Sequence, residues 1–377
     1  MIRHRLLTEG TEVEGLASAW NPLLERIAHP TPFLSHEWLT TWWRHLGAGR
    51  ELRVVVAFED DRLAAAAPLV LSRRGVLALR VLELLGTSGV EGRGMGLSDR
   101  SGLLVPADRP DLARGLVDFL ASRPDWDLLH LKAVPAGGVE TRLEPTGRLR
   151  VRELPHDRSP YVPCEGTWEQ YLATRSKSFR KSLRLTRNRL QREGCRVGRH
   201  EGEACVRALP AAFALNRRSW KGEAGSALFE SAALRDFVLD LAGALAPRKG
   251  LVLYTLARGD ELVAYELCLR GPASLVAWDA AYDPAHARWS PGIALSGFIL
   301  EGAFSDGLGE YDQSRGGHAY KWEWTRRFRE ERQLVLVRSG LRRWAGYLGE
   351  VRLRGLAKRI PGAAALHDRL VRERAAK

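Results

Sequence analysis

The sequence predicts a mixed α/β chain built from two similar halves, and three observations carry that expectation. Its 377 residues, 45% hydrophobic and 27% charged, are enough for two domains that each bury a core. Strand-like and helix-like segments alternate in an order that occurs twice. Two hairpins also align at a constant offset of 199 residues, Asp61-Arg62-Leu63-Ala64 against Asp260-Glu261-Leu262-Val263. The expected divisions are an N-terminal half over 1–134, a linker rich in Pro, Gly and charge over 135–163, a C-terminal half over 164–337, and a basic tail over 338–377.

Taken in order, residues 13–28 read as a helix, and so does PFLSHEWLTTWWRHLG (32–47). In the second, Ser35 is an N-cap for an apolar stripe of Trp38, Leu39, Trp42, Trp43 and Leu46. RVVVAF (53–58) and LAAAAPLVL (63–71) read as strands joined by the turn EDDR, and LALRVLELLG as a third strand leading into a glycine-dense loop. A helix over 111–123 and a buried strand over 126–134 complete the first half. The second half opens with helices in EGTWEQYLATRS, the basic segment 177–192, and residues 203–220 and 228–245. A hairpin of 251–257 with 262–270 follows, then a strand over 274–283, the loop ARWSPG, a helix over IALSGFILEGAFSDGLG, and a strand in EYDQSR.

Charge and composition narrow the function classes. The net charge is +13, but KSFRKSLRLTRNRLQR (177–192) holds seven cations and no acid, and 338–377 has a cationic surplus of eight. The remaining chain is close to neutral, so two patches suit phosphates, nucleic acid or anionic lipid. Disordered and fibrous classes are excluded by composition. The longest apolar run, 63–71, is about half a membrane span, and MIRHRLLTEGTEVEG carries no apolar signal region. Four scattered cysteines without a C-x-x-C pair, and ten histidines without metal-ligand spacing, predict no metal site. A soluble, cytoplasmic protein is expected, with a tail whose Trp344, Tyr347, Leu348, Val351 and Leu356 suit peripheral contact with an anionic membrane.

Three stretches hold candidate chemistry. RWSPGIA (288–294) joins a strand to a helix; Ser290 or Pro291 opens that helix, and Gly292 lets a ligand approach the backbone. Free N–H groups and the positive dipole end there suit a pyrophosphate, although neither a Walker loop nor a dinucleotide fingerprint is present. EYDQSRGGHAYKWEWTRRF (310–328) ends a strand, breaks at Gly316-Gly317 and restarts at Tyr320 and Lys321, as α/β sheets do where they admit ligands. The basic helix sets Phe179, Leu183, Thr186 and Leu190 inward and turns Arg180, Lys181, Arg184 and Arg187 outward, as a solvated face or a phosphate-binding one. His130, in an apolar strand, reads as a core histidine.

PFLSHEWLTTWWRHLG, FRKSLRLTRNRLQREG, AAYDPAHARWSPG and YDQSRGGHAYKWEW, in that order, resemble the CelD/BcsL-type acetyltransferases of the GNAT superfamily, relatives of the FemAB-like peptidyl transferases. The resemblance implies a tandem GNAT-like fold and transfer of an acetyl or other acyl group from acyl-CoA to an amine or hydroxyl. It places the donor pyrophosphate on Arg288, Ser290, Gly292 and Ile293, with Arg315 and Lys321 holding donor phosphates or an anionic acceptor. Asp279, then Asp312, would take the proton of the nucleophile, and Tyr320 would protonate the leaving thiolate. Alternation along SLVAWDAAYD sets Asp279 and Asp283 on the side of Ala277 and Ala281. The FemAB-like relatives imply aminoacyl-tRNA as the alternative donor, and a non-catalytic binding module with a membrane-facing tail is a third reading. Acceptors in cell-envelope or exopolysaccharide metabolism follow from the resemblance alone.

Overall fold

The computed structural model describes residues 1–75, 77–89, 96–144, 149–219, 221 and 227–349. The chain opens with β1 (Ile2–Leu7), α1 (Gly10–Glu14), α2 (Ala17–Glu25) and α3 (His36–Leu46). Strands β2 (Glu51–Leu52), β3 (Val54–Glu59), β4 (Arg62–Ala67), β5 (Leu69–Arg74) and β6 (Leu79–Leu84) follow. Then come α4 (Asp111–Ala121), β7 (Leu128–Pro135) and β8 (Leu149–Pro163). Next are α5 (Trp168–Ala173), α6 (Lys177–Arg192), β9 (Cys195–Glu201), α7 (Glu203–Arg218) and α8 (Ala232–Leu245). β10 (Leu251–Arg258), β11 (Glu261–Arg270), β12 (Ser274–Tyr282), α9 (Pro291–Ser305) and β13 (Glu310–Asp312) continue the chain. It closes with α10 (Ala319–Trp324), β14 (Phe328–Arg338) and α11 (Leu341–Tyr347).

Two compact units form, one of Met1–His29, Gly47–His156 and Glu331–Lys377, the other of Pro30–Leu46 and Asp157–Glu330. In the first unit β1, β3 and β4 make one antiparallel sheet, and β2, β5, β6, β7 and β14 are neighbours in order. LAAAAPLVL is two strands rather than one. Pro68 has no N–H for a ladder, so β4 ends before it and β5 begins after it in a different set of pairings. β6 and β7 run parallel, with Glu83 opposite His130. Where the tail begins, α11 packs inward: Tyr347 is buried against Leu79, Val81 and Leu128. A Cβ on Gly346 would come within 1.9 Å of Leu79, so only glycine permits that approach. Trp344 and Tyr347 are therefore core contacts of this unit, while 350–377, with Val351 and Leu356, lie outside the described residues.

In the second unit the strand order is β9, β10, β11, β12, β13, β8. All neighbours are antiparallel except β12 and β13, which pair in parallel over Ser274↔Glu310 to Val276↔Asp312 and are linked by the crossover helix α9. Hairpin, parallel pair and intervening helix recur in both units, which makes the fold a mixed α/β one in two similar halves.

Two expected boundaries move. PFLSHEWLTTWWRHLG belongs to the second unit, because Trp38 is fully buried there edge-on to Phe237 and Trp278, with ring centroids 5.3 and 5.4 Å away. Ser35 caps α3 as expected, accepting from the Trp38 amide at 3.3 Å. The stretch 135–163 is no simple linker, since 149–163 of it is strand β8. On α6, Phe179, Leu183 and Leu190 are buried, each contributing roughly 1.5–3 kcal/mol, and Ser176 caps the helix through the Phe179 amide. Gly297 on α9 faces this packing at close range. A Cβ there would stand 3.1 Å from Leu183 and 3.3 Å from both Arg187 and Trp324.

Candidate functional site

The site grows from one irregularity in β12. Leu267 pairs with Asp279 but Cys268 pairs with Ala277, so Trp278 is an extra residue and the strand bulges. A bulge inverts side-chain parity. Asp279 therefore lies on the opposite face from Ala277, correcting the alternation read from sequence. On its own face Asp279 is buried and accepts from Lys221 Nζ at 2.6 Å, from Asn216 Nδ2 of α7 at 3.2 Å and from the Tyr265 hydroxyl. Burial, then the Asp279 charge, push the Tyr265 phenol well above its ordinary value. Asp279 thus anchors β12 to α7 and Lys221 rather than standing open as a base. Asp283 is similarly engaged, with Arg218 at 3.0 Å and the Ala285 amide at 3.0 Å.

Beyond β12 a short 3₁₀ segment leads to Ser290, whose φ of +49° turns the chain into α9. Pro291 occupies the first helical position and no side chain caps this end, so the Gly292 and Ile293 amides have no acceptor within the helix. A Cβ on Gly292 would meet only Tyr282, at 3.9 Å, so packing does not demand glycine there. Arg288 is exposed, its carbonyl accepting from Arg189 of α6 at 2.7 Å. An uncapped N-terminus of a 15-residue helix beside an arginine is suited to anionic oxygens.

The second predicted stretch folds as a tied turn. The buried Asp312 accepts from the Ser314 amide at 2.7 Å and lies 3.6 Å from Arg329. Ser314 takes a φ of +66°, and the amides of Gln313 and Gly316 bond to carbonyls of Pro160 and Arg158. Lys321 does not reach outward for phosphates. Its buried Nζ donates to the carbonyls of Ser314 and Arg315 at 3.0 and 2.6 Å, clamping the turn from inside. Arg315 is half-buried on the rim. Tyr320 is half-exposed and stacks on His318, and partial burial followed by the Glu266 charge push its phenol up to about 12.

Beneath that turn lies a carboxyl that the sequence reading did not single out. Glu266 of β11 is 5% exposed and faces α9, the other side of the sheet from Asp279. It accepts from the Tyr311 hydroxyl of β13, from Ser296 of α9 at 3.2 Å and, more distantly, from Cys268 at 3.8 Å. Burial raises its pKa, against the pull of those donors and of the Lys321 charge. A lone acid among apolar neighbours in LVAYELCLR was the available signal.

The cationic helix divides. Lys177, Arg180, Lys181 and Arg184 are exposed and, with Leu172 and Leu183, line an open concavity of 570 Å³. Arg187 turns inward, pairing with Glu301 at 2.8 Å and lying 4.3 Å over the Phe298 ring. It is a packing residue as much as a patch residue.

Residues 177–322 match the family model described as Acetyltransferase (GNAT) domain. The matched span covers the cationic helix, the β12 bulge, the α9 N-terminus and the tied turn. FemX shares 10% identity over 88% of this chain and 96% of its own, with a TM-score of 0.61. L-PGS from Bacillus licheniformis shares 12% over 90% of this chain and 96% of its own, with a TM-score of 0.53. A conserved protein of unknown function from Bacteroides thetaiotaomicron shares 12% over 90% and 100%, with a TM-score of 0.53. At such identities the likeness is one of fold. No curated protein matches the chain in sequence.

Among the described residues no group of three or more His, Cys, Asp or Glu is placed to hold a metal ion. No described helix is long and apolar enough to cross a membrane.

Proposed function

We propose that the second unit is an acyltransferase that moves an acetyl or longer acyl group from acyl-CoA to an amine or hydroxyl. The observation that carries this reading is the uncapped α9 N-terminus, open at Gly292 and flanked by Arg288, inside the span that matches the acetyltransferase model. In this reading the amides of Gly292 and Ile293, with Arg288 and Ser290, hold the donor pyrophosphate. Backbone amides at the β12 bulge polarise the thioester carbonyl. Tyr320, kept protonated at neutral pH, supplies the leaving thiolate with its proton. Arg315 is the rim cation for an anionic acceptor, and Lys321 shapes the turn that presents it. The CelD/BcsL-type resemblance favours acceptors of the cell envelope or of exopolysaccharide.

Thermal unfolding with and without acetyl-CoA and longer acyl-CoAs tests the reading. Donor at 100 times its dissociation constant should add about 2.7 kcal/mol, a rise of several degrees in midpoint for a chain of this size. The rise should vanish in Gly292→Trp, at a position where an added Cβ meets only Tyr282, at 3.9 Å. No rise with any acyl-CoA refutes the donor assignment. A second donor, aminoacyl-tRNA, is favoured by the exposed cations of α6 and by the FemAB-like resemblance. Salt-dependent tRNA binding, lost on charge reversal at Arg180 and Arg184, is its expected mark.

A further inference from the structure

Glu266 is positioned unlike the other buried acids of its unit. Asp279 is matched by Lys221, and Asp312 lies within ion-pair range of Arg329. Glu266 instead accepts from neutral donors alone: Tyr311 on β13, Ser296 on α9 and Cys268 on its own strand. Tyr254 stands opposite it on β10 and Ala280 on β12. Its nearby charge is Lys321 of α10, whose ammonium bonds to backbone carbonyls rather than to the carboxylate. A carboxylate held by hydroxyls beside a buried cation can gain and lose a proton without breaking an ion pair.

Burial first, and then the Glu266 charge, raise the phenols of Tyr311 and of the half-exposed Tyr320. Tyr311 sits in β13, the strand that parts from β12 after three paired residues, and Ser296 lies in α9 about one and a half turns from its open end. Three elements that surround the α9 opening and the tied turn therefore converge on one acid.

We propose that Glu266 is the proton-holding, positioning residue of this site, acting through the hydroxyl of Tyr311; this rests on the acyltransferase reading above. As the acceptor amine or hydroxyl attacks the acyl carbon, its nucleophilic atom forms the new bond and the thioester or ester bond breaks. The proton it sheds passes to the Glu266 carboxylate. The departing thiolate or ribose oxygen takes a proton from Tyr320, which regains one from water, and Glu266 returns its own to water. No other reactant is consumed.

The test combines rate with direct titration. The kcat/KM profile of the full chain against pH is measured for wild type, Glu266→Gln and Tyr311→Phe, and the Glu266 signal is followed by carbon-13 NMR of glutamate-labelled protein. Wild-type Glu266 should titrate above the ordinary glutamate range, and the acid limb of the rate should share that midpoint. Loss of the Tyr311 donor removes a stabiliser of the charged form, so Tyr311→Phe should move both midpoints upward together. Glu266→Gln should lower kcat by about 100-fold or more with donor KM little changed, and should lose the acid limb. An ordinary glutamate midpoint, a rate limb that ignores Tyr311→Phe, or a Glu266→Gln profile like wild type each overturns the proposal. If Glu266→Gln does not fold, the paired shift in Tyr311→Phe decides alone. A wild-type chain inert toward both acyl-CoA and aminoacyl-tRNA refutes the acyltransferase reading, and this role with it; an active chain indifferent to Glu266→Gln refutes this role only.

Discussion

Replacing Glu83 by glutamine probes a carboxylate that the first unit buries completely. Its side chain is 1% exposed and meets Lys132 at 2.6 Å, the Arg74 guanidinium, and the hydroxyls of Ser88 and Ser72 at 3.3 and 3.4 Å. Burial alone would raise its pKa, but Lys132, Arg74 and His130 outweigh burial and hold it at about 2, against 4.5. Because the folded-state value is depressed, the stability it contributes is present in full above the unfolded value and is lost as pH falls toward about 2. That contribution is about 3 kcal/mol at pH 7, and about 1 kcal/mol of it is gone by pH 3.5. His130, held at about 3 by burial and by Lys132, adds a loss of the same sign in both proteins as pH falls from its ordinary 6.5. Because the Glu83 charge raises His130, Glu83→Gln lowers it further, so the difference between the two proteins reports Glu83 together with its coupling to His130. Urea unfolding at pH 7, 5 and 3.5 should show a gap of about 3 kcal/mol at pH 7 that narrows to about 2 kcal/mol at pH 3.5. A gap that stays constant to pH 3.5, or is absent at pH 7, refutes the assignment of a depressed, doubly paired carboxylate.

Two further outcomes follow from packing. Trp38→Ala should cost about 3–5 kcal/mol, because a fully buried indole leaves a cavity between Phe33, Phe237 and Trp278; calorimetry would record it, and a loss below about 1 kcal/mol would mean the helix does not dock on α8 as described. Arg187→Ala should lower the unfolding midpoint through lost packing on Phe298, while Arg184→Ala, exposed on the same helix, should change stability by less than about 0.5 kcal/mol. Equal effects of the two substitutions would contradict the inward course of Arg187.

Much of the fold was legible because its signals are local. Apolar periodicity located α3 and α6, the Ser290-Pro291-Gly292 junction located α9, Ser35 announced a cap that forms, and the hairpin at Asp260-Glu261 lies where the alternation put it. The Pro68 break was legible in principle, since a residue without an N–H cannot continue both ladders. The site was less so. RWSPGIA was found because a strand–turn–helix junction has a composition of its own, but Lys321 looked like a phosphate ligand and is instead a buried clamp. Asp279 was placed by strict alternation, which the Trp278 bulge inverts. A bulge depends on partner-strand register, and a single strand's sequence does not encode it.

By itself, then, the sequence determined which segments become helix and strand, that the order repeats, that α6 carries cations over an apolar stripe, and where a helix would open after Pro291. Side-chain period and capping chemistry act within a few residues, so a linear reading captures them. Only the tertiary structure decided that α3 packs with the second unit, that Asp279 and Glu266 occupy opposite faces of one sheet, and that Tyr311, Ser296 and Lys321 gather around Glu266. The cluster around Glu266 alone joins residues up to 55 positions apart, and whether a buried carboxyl is an anchor or a proton acceptor depends on which partners the fold brings within hydrogen-bond reach.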